Sequence, residues 1–221
     1  WDEFVQLLAQ GPGSRSVYAT TGAALSIASG RLSFALGLHG PCASYETACS
    51  AALVAADAAV QALRGARCVG YVTAGVNLML LQTTCVSMAI AGMTSIAGRC
   101  HVFDSRADGF ARGEGVASVM MELADSTSNS RLLGSAVRQD GRSASLTAPN
   151  GQAQQGLLNA ALGDAAVKAS EIGQLEVHGT GTPLGDPIEV ASISAAILLA
   201  QVDRDIVPMA GVKASLAHAE A

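Results

Sequence analysis

Cys42-Ala43-Ser44-Tyr45-Glu46-Thr47-Ala48-Cys49-Ser50-Ala51-Ala52-Leu53-Val54-Ala55-Ala56 is the stretch whose reading settles the class of fold. Its first part, Cys42 to Thr47, reads as a short strand. Without a linker it enters a helix whose inner face is marked by Leu53, Ala56, Val60 and Leu63 and which ends near Arg64 and Gly65. Cys68 to Ala74 then reads as a buried strand. Strand, helix and strand in this order are the grammar of an α/β protein.

The grammar repeats outward. A helix is predicted from about Gln82 to Ala91, a polar loop from Phe103 to Gly109 and a strand from Gly115 to Leu123. Beyond the polar, turn-rich segment Asp125 to Ser130, the best candidate for a boundary, strands are predicted at Leu132 to Val137, Leu175 to His178 and Val207 to Val212. A helix is predicted from about Gln152 to Lys168.

Composition bounds the function classes. The 221 residues are 50% hydrophobic and 14% charged, against roughly 25% charged in ordinary globular domains, so most of the chain is expected to be buried. A net charge of -5 with no run of like charge makes nucleic acid an unsuitable partner. The uncharged stretch between Arg67 and Arg99 is long enough to span a bilayer. Thr73, Asn77, Gln82, Thr83, Thr84 and Thr94 interrupt it too often for a lipid-facing helix, and no membrane span is expected. Cys42, Cys49, Cys68, Cys85 and Cys100 have no CxxC spacing and no nearby His pair, which indicates neither a disulfide framework nor a zinc site. The opening Trp1-Asp2-Glu3-Phe4 has no signal-peptide pattern and no initiator Met, so both ends read as cuts in a longer chain.

Cys49 lies where the first strand hands over to a helix, facing the positive end of the helix dipole, a position that favours thiolate and leaves a backbone N–H for an oxyanion. A small buried residue packing like Ala is the alternative, and Cys42, Cys68, Cys85 and Cys100 are expected only to pack. His178 ends a strand and enters Gly179-Thr180-Gly181-Thr182-Pro183-Leu184-Gly185-Asp186-Pro187, whose glycines allow close backbone approach. The spacing fits neither G-x-G-x-x-G nor a P-loop. A histidine bonded to a nearby carbonyl is the other reading. Lys213 and His218 follow the last predicted strand, where a surface lysine and a capping histidine would serve as well. His39 and His101 are assigned no chemistry.

Taken together, Tyr45 to Ala55, Ala74-Gly75-Val76-Asn77, Ala107 to Gly115, Leu146-Thr147-Ala148-Pro149-Asn150-Gly151, Glu176 to Glu189, and Val212-Lys213 to His218 resemble, in order, the β-ketoacyl synthase domain of type I polyketide synthases and the related fatty acid synthase domains. The resemblance runs from about Arg31 to the last residue. It implies an α/β, thiolase-like layered αβαβα fold of two similar halves, truncated at both ends. Residues 1–126 would carry the nucleophile and 127–221 the two histidines, with the halves meeting near Asp125 to Ser130. It further implies a homodimer and substrates delivered on the phosphopantetheine arm of an acyl carrier protein, with no directly bound cofactor and no metal. An intracellular setting, cytoplasm or plastid, is implied as well.

The reaction implied is acyl transfer to Cys49, then decarboxylative Claisen condensation with a malonyl-type extender. Cys49 matches the nucleophile, and His178 and His218 the pair that stabilises the enolate. Lys213 matches the motif lysine expected to orient and tune His218. Four positions depart from the pattern: Glu46 stands where Asp is common, Ser215-Leu216 where Asn-Ile is usual, and Ala217 where Gly precedes the second histidine. Ala217 motivates the alternative of a non-elongating ketosynthase-like domain that dimerises and passes acyl chains on. A Cys/His hydrolase shares Cys49 but leaves His218 dispensable.

Overall fold

The computed structural model describes residues 2–11, 15–124, 130–200 and 207–220. Two compact units form. One comprises Trp1–Met88, Glu114–Asp125 and Ala219–Ala221, the other Ala89–Gly113 and Ser126–His218. The division is therefore not a single cut in the chain, because residues 89–113 join the second unit. Most of the expected boundary segment, 125–129, lies outside the described residues.

The first unit begins with helices α1 (Asp2–Gln10), α2 (Ala19–Ala23) and α3 (Leu25–Leu36), then α4 (Ala51–Arg64), strand β1 (Gly70–Asn77), helix α5 (Gln82–Ile90), whose last residues pass into the second unit, and strand β2 (Gly115–Glu122). α4 forms because alanine, the best helix former, fills half of it. It packs on β1, and its buried residues are Ala59, Val60, Ala62 and Leu63, of which Val60 and Leu63 belong to the expected stripe. Leu53 departs from that expectation: in the first turn, it is 76% exposed. β1 and β2 pair antiparallel from Gly70↔Glu122 to Asn77↔Gly115. Glu3 of α1 is buried, and its carboxylate accepts from Leu80 N–H at 2.5 Å and Leu81 N–H at 2.7 Å, just ahead of α5.

The second unit contains α6 (Gly151–Ala165), β3 (Leu175–Glu176), α7 (Gly185–Ala196), β4 (Met209–Ala210) and α8 (Lys213–Leu216). The Asn150 side chain caps α6 by accepting from the N–H groups of Gln152 and Ala153. α6 packs on α7, where the buried Ser192 hydroxyl sits 2.7 Å from Ile188 O and 3.1 Å from Gly151 O. β3 and β4 pair in parallel, Leu175↔Met209 and Glu176↔Ala210.

Three expectations change. Cys42 to Thr47 is not a strand: backbone groups need a ladder partner, and the segment carries only an isolated bridge between Thr47 and Cys49. Leu132 to Val137 is also irregular; Gly134 lies so close to the backbone of Ala165 that a Cβ there would collide with it. Burial is less complete than composition implied, with Phe34 91% exposed and Ile96 fully so. Each sheet has two strands among the described residues, too few to cover the apolar faces. No helix of the described residues is long and apolar enough to cross a membrane.

Candidate active site

Cys49 sits on a corner made by the backbone. Ala48 adopts a left-handed φ of 51°, a conformation that costs a non-glycine residue free energy and persists where the surroundings enforce it. The Ser50 hydroxyl lies 2.8 Å from Thr47 O and 2.9 Å from Thr47 Oγ1, and Ala51 N–H donates to Ala48 O at 3.1 Å. These bonds lock the turn and start α4 at Ala51, two residues after the cysteine. Cys49 is left exposed and free, on a tight turn at the head of a helix.

In the second unit, β3 and the loop after it deliver His178, and the turn after α8 delivers His218. The rings meet edge to face, 5.6 Å between centroids and 88° between planes. His218 is 6% exposed. Its N–H donates to Ala111 O at 2.8 Å and its carbonyl accepts from Gly113 N–H at 2.8 Å, a bridge that fixes its backbone on both sides. The Phe110 ring packs against its imidazole at 5.3 Å. Burial pushes the His218 pKa down to about 4, helped by the Lys213 charge and by His178. His178 keeps part of its surface in solvent, yet crowding lowers its pKa as well; the Lys213 charge adds to that effect, while Glu189 and Asp186 oppose it. At neutral pH both rings are neutral and each carries one N–H donor.

Two carboxylates hold the His178 loop. Glu189 of α7 accepts from His178 N–H at 2.6 Å and Gly179 N–H at 2.8 Å. Asp186, 4% exposed, accepts from Gly181 and Thr182 N–H, both at 3.1 Å, and from Phe103 N–H at 2.9 Å. Asp186 stands in the first turn of α7, where the helix dipole favours an anion. A cleft of about 690 Å³ opens beside this loop between Phe103, Thr182, Pro187 and Val190, but neither histidine lines it.

Residues 2–126 match the family model for the β-ketoacyl synthase N-terminal domain, and residues 129–221 match that for the C-terminal domain. The chain belongs to the β-ketoacyl synthase family. Among β-ketoacyl synthase relatives, a phenolphthiocerol/phthiocerol polyketide synthase of Mycobacterium tuberculosis is 42% identical over 216 residues, 95% of this chain and 10% of that protein. Pikromycin polyketide synthase component PikAII of Streptomyces venezuelae is 41% identical over 210 residues, 92% of this chain and 6% of that protein. The ketosynthase from module 6 of the bacillaene synthase of Bacillus subtilis superposes with a TM-score of 0.84 at 31% identity, covering 91% of this chain and 38% of that one. The fold is thus the thiolase-like α/β fold of ketosynthases. The chain spans a tenth or less of these two curated relatives and about two fifths of that solved domain.

Of the four residues expected in the β-ketoacyl synthase site, His178, His218 and Lys213 share the second unit, where the lysine charge acts on both rings. Cys49 belongs to the first. Asp186 and Glu189 lay inside a quoted motif without a role; an acidic residue in the first turn after a glycine-rich loop was the available signal. Two cysteines differ from the expected passive packing. Cys42 is exposed, with Ser33 Oγ 3.4 Å from its sulfur, and hydrogen bonds from Ser29 and Ser33 lower its pKa. Buried Cys100 accepts from Ala111 N–H at 3.2 Å.

Proposed function

We propose that this chain is the condensing part of a polyketide synthase: it transfers an acyl group to Cys49 and joins it to a malonyl-type extender by decarboxylative Claisen condensation. The observation that carries the reading is the pair of neutral, edge-to-face imidazoles of His178 and His218, beside one lysine charge. A Cys hydrolase has use for one such ring; an enolate oxygen has use for two N–H donors.

In the first step the Cys49 thiolate attacks the acyl thioester carbonyl, and the tetrahedral oxyanion collapses with loss of the carrier thiol. Loss of carbon dioxide from the malonyl thioester then leaves an electron pair delocalised onto its thioester oxygen. His178 and His218 donate N–H bonds to that oxygen as the charge develops. The enolate carbon attacks the Cys49 thioester, the sulfur leaves as thiolate, and a β-ketoacyl chain two carbons longer remains on the carrier. Lys213 tunes the two rings and does not react. Within this reading, residues 1–126 supply the nucleophile and 127–221 the histidines. Substrates arrive on the phosphopantetheine arm of an acyl carrier protein, and the protein works inside the cell as a homodimer, in polyketide rather than fatty acid assembly.

The test separates the two half-reactions in the protein that carries this chain. Cys49→Ala is expected to abolish covalent loading from a radiolabelled acyl thioester while malonyl decarboxylation persists. His178→Ala is expected to retain loading and to lose decarboxylation at least tenfold. Loading that survives Cys49→Ala would overturn the assignment.

A further inference from the structure

We propose that Cys100 is a positioning residue for His218, acting through the peptide of Ala111. The proposal rests on the two-histidine reading above and adds a residue to it. Buried cysteines ordinarily behave as small apolar groups, but this one is 4% exposed and its sulfur meets both backbone groups of one residue: it accepts from Ala111 N–H at 3.2 Å, and its S–H donates to Ala111 O at 3.8 Å. That same Ala111 carbonyl accepts the N–H of His218 at 2.8 Å. The residue held by the thiol is therefore the one on which the second histidine hangs. The neighbours complete the holder, Phe110 against the ring and Gly113 N–H on the His218 carbonyl.

The segment that starts at Cys100 also reaches the first histidine's loop. A Cβ on Gly181 would come within 2.6 Å of His101 N and 3.1 Å of the Cys100 carbonyl carbon, so glycine there lets the two backbones touch. Gly109 N–H donates to Gly181 O at 3.0 Å, and Phe103 N–H to Asp186 at 2.9 Å. Residues 100–113 thus tie the loop after His178 to the backbone of His218, and Cys100 fastens the tie at its His218 end. Two donors serve one enolate oxygen only if their separation is held, and a misplacement of about 1 Å costs on the order of a hundredfold in rate. Losing the sulfur also leaves the Ala111 N–H without this acceptor, so the segment is free to shift.

Cys100→Ala and Cys100→Ser, made in the protein that carries this chain, test the idea. In Cys100→Ala, acyl loading on Cys49 is expected within about twofold of the unmodified protein, with kcat for malonyl decarboxylation about tenfold lower and KM little changed. Cys100→Ser, whose hydroxyl also accepts from Ala111 N–H, is expected to recover most of that loss. Decarboxylation unchanged in Cys100→Ala, or lowered together with loading and not rescued by serine, overturns the proposal. A second readout needs no turnover: the His218 imidazole, followed by NMR, is expected to titrate at higher pH in Cys100→Ala, and an unchanged titration overturns the positioning role even if the unmodified protein proves unable to decarboxylate, a result that would instead defeat the function proposed above. If the alanine variant does not fold, hydrogen exchange of the unmodified protein decides the matter: the Ala111 amide is expected to exchange slowly, and free exchange refutes the bond.

Discussion

Replacing Ala217 by glycine is expected to make the protein more stable and to leave its chemistry nearly unchanged. Ala217 has φ 62° and ψ -177°, a region that is essentially glycine-only and costs another residue about 1–3 kcal/mol. Glycine removes that strain but raises the entropy of the unfolded chain, worth about 0.4–1 kcal/mol in the opposite direction. The alanine methyl is half-buried, so its loss forfeits at most about 0.4 kcal/mol of the roughly 0.8 kcal/mol that a buried methylene contributes. The balance is a stabilisation of about 1 kcal/mol. With m of about 1–3 kcal/mol/M in urea, the unfolding midpoint should rise by about 0.3–1 M at constant m. Condensation should stay within about twofold, because His218 is pinned through Ala111 and Gly113 rather than by the residue before it. A lower midpoint would show that the Ala217 conformation carries no strain. A tenfold change in turnover at unchanged stability would show that the bridge does not position His218.

Two further outcomes follow from the same unit. Asp186→Asn replaces an acceptor-only group that takes three backbone N–H bonds; at least one of those bonds is lost, for about 1.5–3 kcal/mol, and an unchanged urea midpoint would contradict the role of Asp186 as holder of the His178 loop. For pH, the His218 pKa is lowered from 6.5 to about 4 in the folded protein. Between those values the unfolded chain binds a proton that the folded chain does not, so its contribution to stability is complete above about pH 6.5 and is lost as the pH falls through about 4. Denaturation midpoints measured across that window should decline towards acid, and His218→Gln should flatten part of the decline; a slope identical in both proteins would refute the assignment.

Much of the candidate site was legible because the residues proposed for its chemistry sit in local words. Cys49 before an alanine-rich helix, and His178 before a glycine-rich loop, announce themselves by residue type and neighbour. The regular elements followed where periodicity was strong, as in α4, β1, β2 and α6, whose ends fall close to the expected ones. Strands failed where a ladder partner was needed and none could be read: Cys42 to Thr47 and Leu132 to Val137 have suitable side chains but form no strand. Leu53 fell on the right helical face, yet that face is buried only towards its C-terminal end. The supports of the histidines were least legible. Phe110, Ala111 and Cys100 lie over a hundred residues from His218 in sequence, and no spacing rule links a buried thiol to a distant peptide.

Lys213 lowers the pKa of His178 and of His218 together. The two rings are therefore not independent variables. A change of charge at this one position would drag both acid limbs of a pH–rate profile in the same direction, so selection acting on either histidine's protonation through the lysine acts on its partner as well. Separate adjustment must come through groups that reach one ring alone, such as Glu189 for His178 or the packing of Phe110 for His218.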